Sequence, residues 1–396
     1  MGTLAHRPAA VTTGWYDAED CSLADFREVV EESIRLEDYP YADAVVDNVL
    51  VYGPGLADRV EDPAARRTAQ AELAAALLDG PGVVVVKQAF APPVVDAATA
   101  AFERLIADQK ARGGAVGDHF AKPGTNDRVW GALDKLALAD PEIFVSYYGN
   151  DVLALVSEAW LGPGYQVTSQ VNVVNPGGQA QLAHRDYHLG FMDRAQAEAY
   201  PAQVHALSPA LTLQGAVAHC DMPVESGPTM FLPHSQKYGP GYVAYHDPAF
   251  TEYFERHHVQ LPLDKGDAVF FNPALFHGAG TNRTADVRRM ANLLQVSSAF
   301  GRAMEAVDTA AICSAVFPIL RKRRADGTDV RQINNAIAAA AEGYAFPTNL
   351  DLDQPVGSLA PPSQADLLRQ AVEEDWQPAR LAAALAAQQD RRRVRA

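Results

Sequence analysis

Two histidines and an aspartate carry the most pointed chemistry in this 396-residue chain. His184 and Asp186 stand two apart in AQLAHRDYHLGF. In an extended segment residues i and i+2 project to the same side, so this imidazole and this carboxylate can close on one ion. His277 follows the apolar run AVFFNPALF and opens HGAGTNRT, a strand-to-loop junction from which a side chain reaches into an open mouth. Two neutral imidazoles and one carboxylate form the open facial set that holds non-haem Fe(II) and leaves positions for a cosubstrate and oxygen. Taken singly, each part has a plainer reading: H-x-D is often a charge-paired surface histidine, and lone histidines are commonly satisfied inside a fold. Arg288, at the start of RRMANLLQVSS, gives the reason to join them. Across a hairpin its guanidinium faces the same cavity and can take a carboxylate through paired, charge-assisted hydrogen bonds.

The elements that must position these groups change character along the chain. An Ala- and Leu-rich stretch over 64–79 predicts a helix ending at Asp79-Gly80-Pro81-Gly82, and the run Val83-Val84-Val85-Val86 predicts a buried strand. Pro92 and Pro93 open a second helix over 94–110. From about 163 to 298 short Val-, Leu-, Phe- and Thr-rich segments alternate with Gly, Pro, Asn and Asp, and candidate strands fall at 166–174, 209–218, 228–232, 267–271 and 287–298. That is enough for two packed sheets or a distorted barrel. Past Phe300 the pattern is helical again, at 303–315, 333–341 and 363–388. The chain divides on this reading into an N-terminal extension (1–62), a mainly β core with supporting helices (63–300) and a helical C-terminal extension (301–396) that forms a cap, a dimer surface, or both.

Composition limits the partners. With 33 Lys+Arg against 49 Asp+Glu the formal charge is -16, an unfavourable field for gripping a nucleic-acid backbone or an anionic membrane. Three cysteines at wide spacings form neither a disulfide framework nor a thiolate metal cluster, which fits a cytoplasmic location. The opening MGTLAHRPAAVTTG has no long apolar core of the kind a secretory leader needs, and no later apolar run reaches bilayer length. The expected partner is a small molecule, and a homodimer is compatible with the sequence.

The middle of the chain and its flanks resemble the phytanoyl-CoA dioxygenase family of Fe(II)/2-oxoglutarate oxygenases, from LLDGPGVVVVKQAFAPPVVDAA through HRD and ESGPTMFLPHSQ to HGAGTNRTADVRRM. The resemblance implies a double-stranded β-helix, a jelly roll of the cupin kind, with His184, Asp186 and His277 on the iron and Arg288 on the distal carboxylate of 2-oxoglutarate. It also implies the chemistry: O2 and 2-oxoglutarate give succinate, CO2 and an oxidant that abstracts a substrate hydrogen. Retention of Asp186 argues against halogenation, which relatives achieve by losing that carboxylate, and leaves hydroxylation as the default, with ring closure or desaturation as alternative outcomes. Two departures stand out. Ala279 replaces the hydroxyl residue usual two places after the distal histidine, and Pro233-His234-Ser235-Gln236 replaces the customary Pro-Gly-Ser-His turn.

Around this set, Gln181 resembles a position that contacts the other end of 2-oxoglutarate, while Gln170 and Asn172 share a strand face that can line the cavity. His188, His219 and Trp130 are candidate substrate contacts, each with a structural reading of at least equal weight; a fourth protein ligand at His188 would occupy a position that oxygen or cosubstrate needs. A glycine-bearing lid over 111–130, with Gly113, Gly114 and Gly117, is a further expectation. Two other classes of function remain open on the sequence, a ligand-binding protein without turnover and a zinc hydrolase on the same three residues. Dependence of succinate formation on oxygen and 2-oxoglutarate separates both from an oxygenase.

Overall fold

A computed structural model of the protein describes residues 14–113, 124–188 and 190–394. Ten strands are present among them: β1 (Ala44–Val46), β2 (Val49–Tyr52), β3 (Val83–Val86), β4 (Asn126–Val129), β5 (Gln166–Val174), β6 (Thr212–Ala218), β7 (Thr229–Leu232), β8 (Ala268–Phe271), β9 (Phe276–Ala279) and β10 (Arg289–Ser297). Eight of them make one sheet in the order β1-β2-β3-β8-β6-β10-β5-β4, antiparallel except for the β2–β3 pair, and β7 and β9 make a second, two-stranded sheet.

The expectation of a mainly β, closed jelly roll is corrected here. The fold is mixed α/β, 46% helix and 16% strand, and both sheets are open, the larger one ending in the unclosed edges β1 and β4. Helix outweighs strand because the regions flanking 163–298 are longer than the strands between them. They include three helices that the reading of the sequence did not place, Ala132–Ala139, Pro141–Tyr148 and Asp151–Leu161.

The two faces of the large sheet meet different partners, and strand alternation decides which residue meets which. Along β10, Met290, Leu294 and Val296 join a large core with the helices, one that runs from Leu50 through Tyr147 to Leu385. The C-terminal helices Thr309–Ala325 and Val330–Ala340 pack on Pro141–Tyr148, so the residues beyond 300 belong to this helical layer. On the opposite face Val83, Val85, Ala216, Ala218, Val269 and Phe271 meet Phe231 of β7 in a smaller core between the sheets. The space left open there contains the candidate site. The expected lid lies only partly within the described residues; Gly114 and Gly117 fall outside them.

Candidate metal centre

The segment carrying His184 lies antiparallel to β9. His184 N–H donates to His277 O (3.0 Å) and His277 N–H donates to His184 O (3.1 Å), so the two imidazoles leave one rung of backbone with ring centroids 4.4 Å apart. Two residues on, Asp186 N–H donates to Pro273 O at 2.9 Å, which turns its carboxylate to the same side as His184. The three side chains offer ligand atoms that all lie within 4.8 Å of one another.

Each histidine is oriented by the same device. Nδ1 of His184 bonds Leu182 O and Nδ1 of His277 bonds Leu275 O, both at 2.8 Å. A carbonyl only accepts, so each Nδ1 carries the proton and each Nε2 offers a free lone pair, the tautomer that metal binding requires. Burial beside His184 pushes His277 down to about 4, so its ring is neutral at physiological pH. Among Asp186's polar atoms, Oδ2 accepts from Gln214 Nε2, the backbone oxygen accepts from Tyr242 Oη (3.0 Å), and only Oδ1 is buried without a partner. A buried carboxylate oxygen in that condition is costly unless a cation meets it. The donor set therefore fits Fe(II): two imidazole nitrogens and one carboxylate oxygen, each left over once the neighbouring groups are satisfied.

Between the ligands, Arg185 points the other way. It is 2% exposed, donates to the carbonyls of Ser235 and Tyr238, and lies 5.2 Å from the ring centres of Tyr242 and Phe276. Gly241 makes room for it, since a β-carbon there would sit 1.9 Å from the guanidinium carbon.

All three ligand residues line one cavity, and His184 also borders a second. An inner one of about 170 Å³ lies between the sheets and includes Gln170, Gln214, Arg128, Trp130, Phe271 and Arg289; an outer one of about 680 Å³ includes Asn126, Leu182, Phe191, Tyr245, His246 and Thr251. Asn172, Gln181, His184 and Arg289 line both.

The structure gathers most of the residues singled out from sequence, with one reversal and two relocations. Gln170 accepts from Arg128, whose guanidinium lies 4.4 Å above the Trp130 ring; Gln181 Oε1 accepts from Ala279 N–H (3.1 Å); Asn172 Oδ1 is buried and unpartnered. Arg288 is the reversal. Its side chain is 51% exposed and lies 3.6 Å from Glu103 and 3.8 Å from Asp127, outside the strand, because β10 begins one residue later. The cavity instead receives Arg289, Ala291, Leu293 and Gln295, the face opposite to the one expected. Arg289 is 7% exposed, donates to the carbonyls of Ser226 and Gly280 (3.2 Å each), and has no carboxylate partner among the described residues. Burial lowers it to about 10, which leaves it charged at neutral pH.

His188 lies off both cavities. Its Nε2 accepts from Arg302 N–H (3.0 Å) and its Nδ1 bonds Thr212 Oγ1 (2.7 Å), so both nitrogens are committed to tying loops together. His219 lies on the helix side of the sheet, 3% exposed, between Thr99 Oγ1 and Tyr147 Oη at 2.8 Å each. The sequence reading missed Gln214 and the inward Arg289. Alternation within 209–218 could have placed Gln214 on a cavity face; nothing in the sequence marks which face of β10 is inward.

The chain belongs to the phytanoyl-CoA dioxygenase (PhyH) family, whose model matches residues 78–290, and with its His-Asp-His triad it is a member of the Fe(II)/2-oxoglutarate-dependent oxygenases. It is similar to the dioxygenase trt7 of Aspergillus terreus, 28% identical over 235 residues that cover 56% of this chain and 72% of that protein. It is also similar to the dioxygenase cdmD of Talaromyces verruculosus, 32% identical over 119 residues, 29% of this chain and 34% of that protein. Among solved structures it aligns with HygX from Streptomyces hygroscopicus with nickel, 2-oxoglutarate and hygromycin B bound (17% identity, TM-score 0.43, 58% of this chain and 88% of that one). A second is the carbocyclase SnoK from nogalamycin biosynthesis (21% identity, TM-score 0.42, 57% and 83%).

Among the described residues no helix is long and apolar enough to cross a membrane.

Proposed function

We propose that the chain oxidises a C–H bond of a small organic metabolite held in the outer cavity, with 2-oxoglutarate reaching from the triad toward Arg289. The observation that carries this reading is the convergence of three leftover ligand atoms on the inner cavity, which His184 and Arg289, a buried cation without a carboxylate partner among the described residues, join to an outer cavity walled largely by neutral side chains. Fe(II), when bound with 2-oxoglutarate and O2, supplies an oxidant able to remove an unactivated hydrogen atom. The chain's own residues do the rest. His184, Asp186 and His277 hold the metal while leaving positions open; Arg289 offers a fork to the distal carboxylate of the cosubstrate; and Gln181 and Asn172, which border both cavities, separate cosubstrate from substrate. Leu182, Phe191 and Tyr245 give the substrate an apolar wall and limit water near the reacting carbon.

Asp186 keeps the position that a halide would need, so the reading excludes halogenation. Within it, hydroxyl transfer and oxidative ring closure or desaturation share the same first step and differ in the fate of the carbon radical. Incubation with Fe(II), 2-oxoglutarate and a metabolite library, followed by mass spectrometry, distinguishes them: a product gaining one oxygen marks hydroxylation, and one losing two hydrogens marks ring closure or desaturation. The expected result is substrate-stimulated succinate formation that requires O2 and 2-oxoglutarate. Turnover without either would replace this reading with a hydrolytic one.

A further inference from the structure

We infer that Tyr187, His205 and Tyr200 form a relay that brings electrons from the protein surface to the metal centre when oxygen is activated with no substrate in place; the inference rests on the Fe(II) reading above. An oxidant able to remove an unactivated hydrogen attacks its own protein unless something else quenches it. Phenols leading outward move the oxidation to where a soluble reductant can reach it. Tyr187 follows the ligand Asp186 directly in the chain and is 6% exposed. Its ring centroid lies 4.3 Å from that of Tyr242, whose Oη donates to the Asp186 backbone oxygen (3.0 Å), so both the chain and a hydrogen bond join this aromatic pair to the ligand. On another side Tyr187 lies 5.7 Å from the ring of Tyr200, which is 40% exposed. Two neighbouring rings thus lead from the ligand segment to solvent.

The hydrogen bonds of His205 set the course of the proton. Its Nε2 bonds Tyr200 O (3.1 Å), a carbonyl that only accepts, so Nε2 carries the proton. Nδ1 is therefore an acceptor, and Tyr187 Oη donates to it at 2.7 Å. Burial lowers the pKa of His205, which keeps the ring neutral. An oxidised phenol is a strong acid, so a neutral imidazole at this distance takes its proton as the electron leaves. One electron passes from Tyr187 toward the metal while its phenol proton moves to His205 Nδ1, leaving a neutral tyrosyl radical. Tyr200 then gives an electron to Tyr187, which regains its proton from His205; Tyr200 releases its own proton to water and is restored by a one-electron donor of the ascorbate type. Two passes deliver two electrons, which with two protons from water reduce the second oxygen atom of O2 to water, the first having gone into succinate.

The test supplies the full chain with Fe(II), 2-oxoglutarate and O2 but no substrate. Freeze-quenched wild type without ascorbate should show a tyrosyl radical by electron paramagnetic resonance. Tyr187→Phe keeps the ring, loses only the hydroxyl and should lose that signal. Tyr200→Phe alters a half-exposed ring and decides the matter if Tyr187→Phe does not fold: with ascorbate present its radical should outlive that of wild type, and its succinate yield before inactivation should fall. A purely structural histidine-tyrosine contact would move neither readout. The inference is overturned by a wild type without a tyrosyl radical, by an undiminished radical in folded Tyr187→Phe, or by a Tyr200→Phe protein that matches wild type in radical lifetime and succinate yield. Failure of the Fe(II) reading looks different: anaerobic Fe(II) and 2-oxoglutarate would then give no metal-to-ligand charge-transfer band, whereas a normal band without a radical removes the relay alone.

Discussion

At the scale of single residues, the site depends on which atoms are left over after their neighbours are satisfied. Asp186→Ala removes the carboxylate and should abolish metal binding and 2-oxoglutarate-dependent succinate formation while the far-ultraviolet spectrum stays that of wild type. The neighbouring arginines separate cleanly. Arg289→Ala should weaken 2-oxoglutarate binding by ~3 kcal/mol, roughly two orders of magnitude, because truncating one member of a buried charge pair strands the other. Arg288→Ala, half exposed, should leave that affinity within about twofold, as surface ion pairs contribute little. Calorimetric titration with 2-oxoglutarate checks both. The ligands were legible in the sequence because H-x-D and a distant histidine after an apolar run need only local geometry. The inward arginine was not, because choosing the other parity along a strand exchanges every inward side chain for an outward one. Parity along 288–295 was readable from the chain; which parity faces the cavity is set by the helices against which Met290 and Leu294 pack.

At the scale of elements, the ligand segment is braced from behind. Arg185 fills the gap between that segment and the short helix Gly241–Ala244, and Gly241 is the residue that admits it. Gly241→Ala should force the guanidinium out, lowering stability by ~1–3 kcal/mol through overpacking and weakening metal binding with it. Thermal melting and Co(II) titration together register the two effects. The customary glycine of the turn after β7 is replaced by His234, which holds a left-handed backbone at φ 69° with both ring nitrogens unbonded. The sequence showed the replacement, and the backbone angle explains the position's usual occupant, since glycine adopts that region at no steric cost. The strands 166–174 and 268–271 could be read from composition, whereas β9, four residues broken by glycine, carried no period of its own.

For the molecule as a whole, the helical layer and the sheet share a single core that extends to Leu385. A chain cut at residue 300 should therefore fail to melt cooperatively, a result that differential scanning calorimetry would show directly. The jelly roll that the family resemblance implied did not follow: the large sheet ends in the unclosed edges β1 and β4, and the helices outside the strand-rich centre outweigh its strands. Acid should destabilise the protein through two histidines remote from the triad. Burial pushes His219 down to about 3 and His234 to about 4, against an ordinary value of 6.5. Below pH ~6.5 the unfolded chain takes up protons that the folded chain refuses. Their contribution is thus fully present above that pH and is lost by ~1.4 kcal/mol per pH unit per histidine on the way down to about 4. The unfolding free energy measured against pH should therefore fall with a slope of two protons or more as pH drops toward about 4, since His277 is likewise held down to about 4.

The buried charge of Arg289 offers a practical measure of the site's dimensions. Among the described residues this interior guanidinium bonds carbonyls alone and rewards whatever anion arrives, so the apoprotein should melt higher as dicarboxylates are added, by an amount that grows with the logarithm of their concentration. Ranking keto acids of graded chain length by this gain would measure the reach from metal to arginine before any product has been seen.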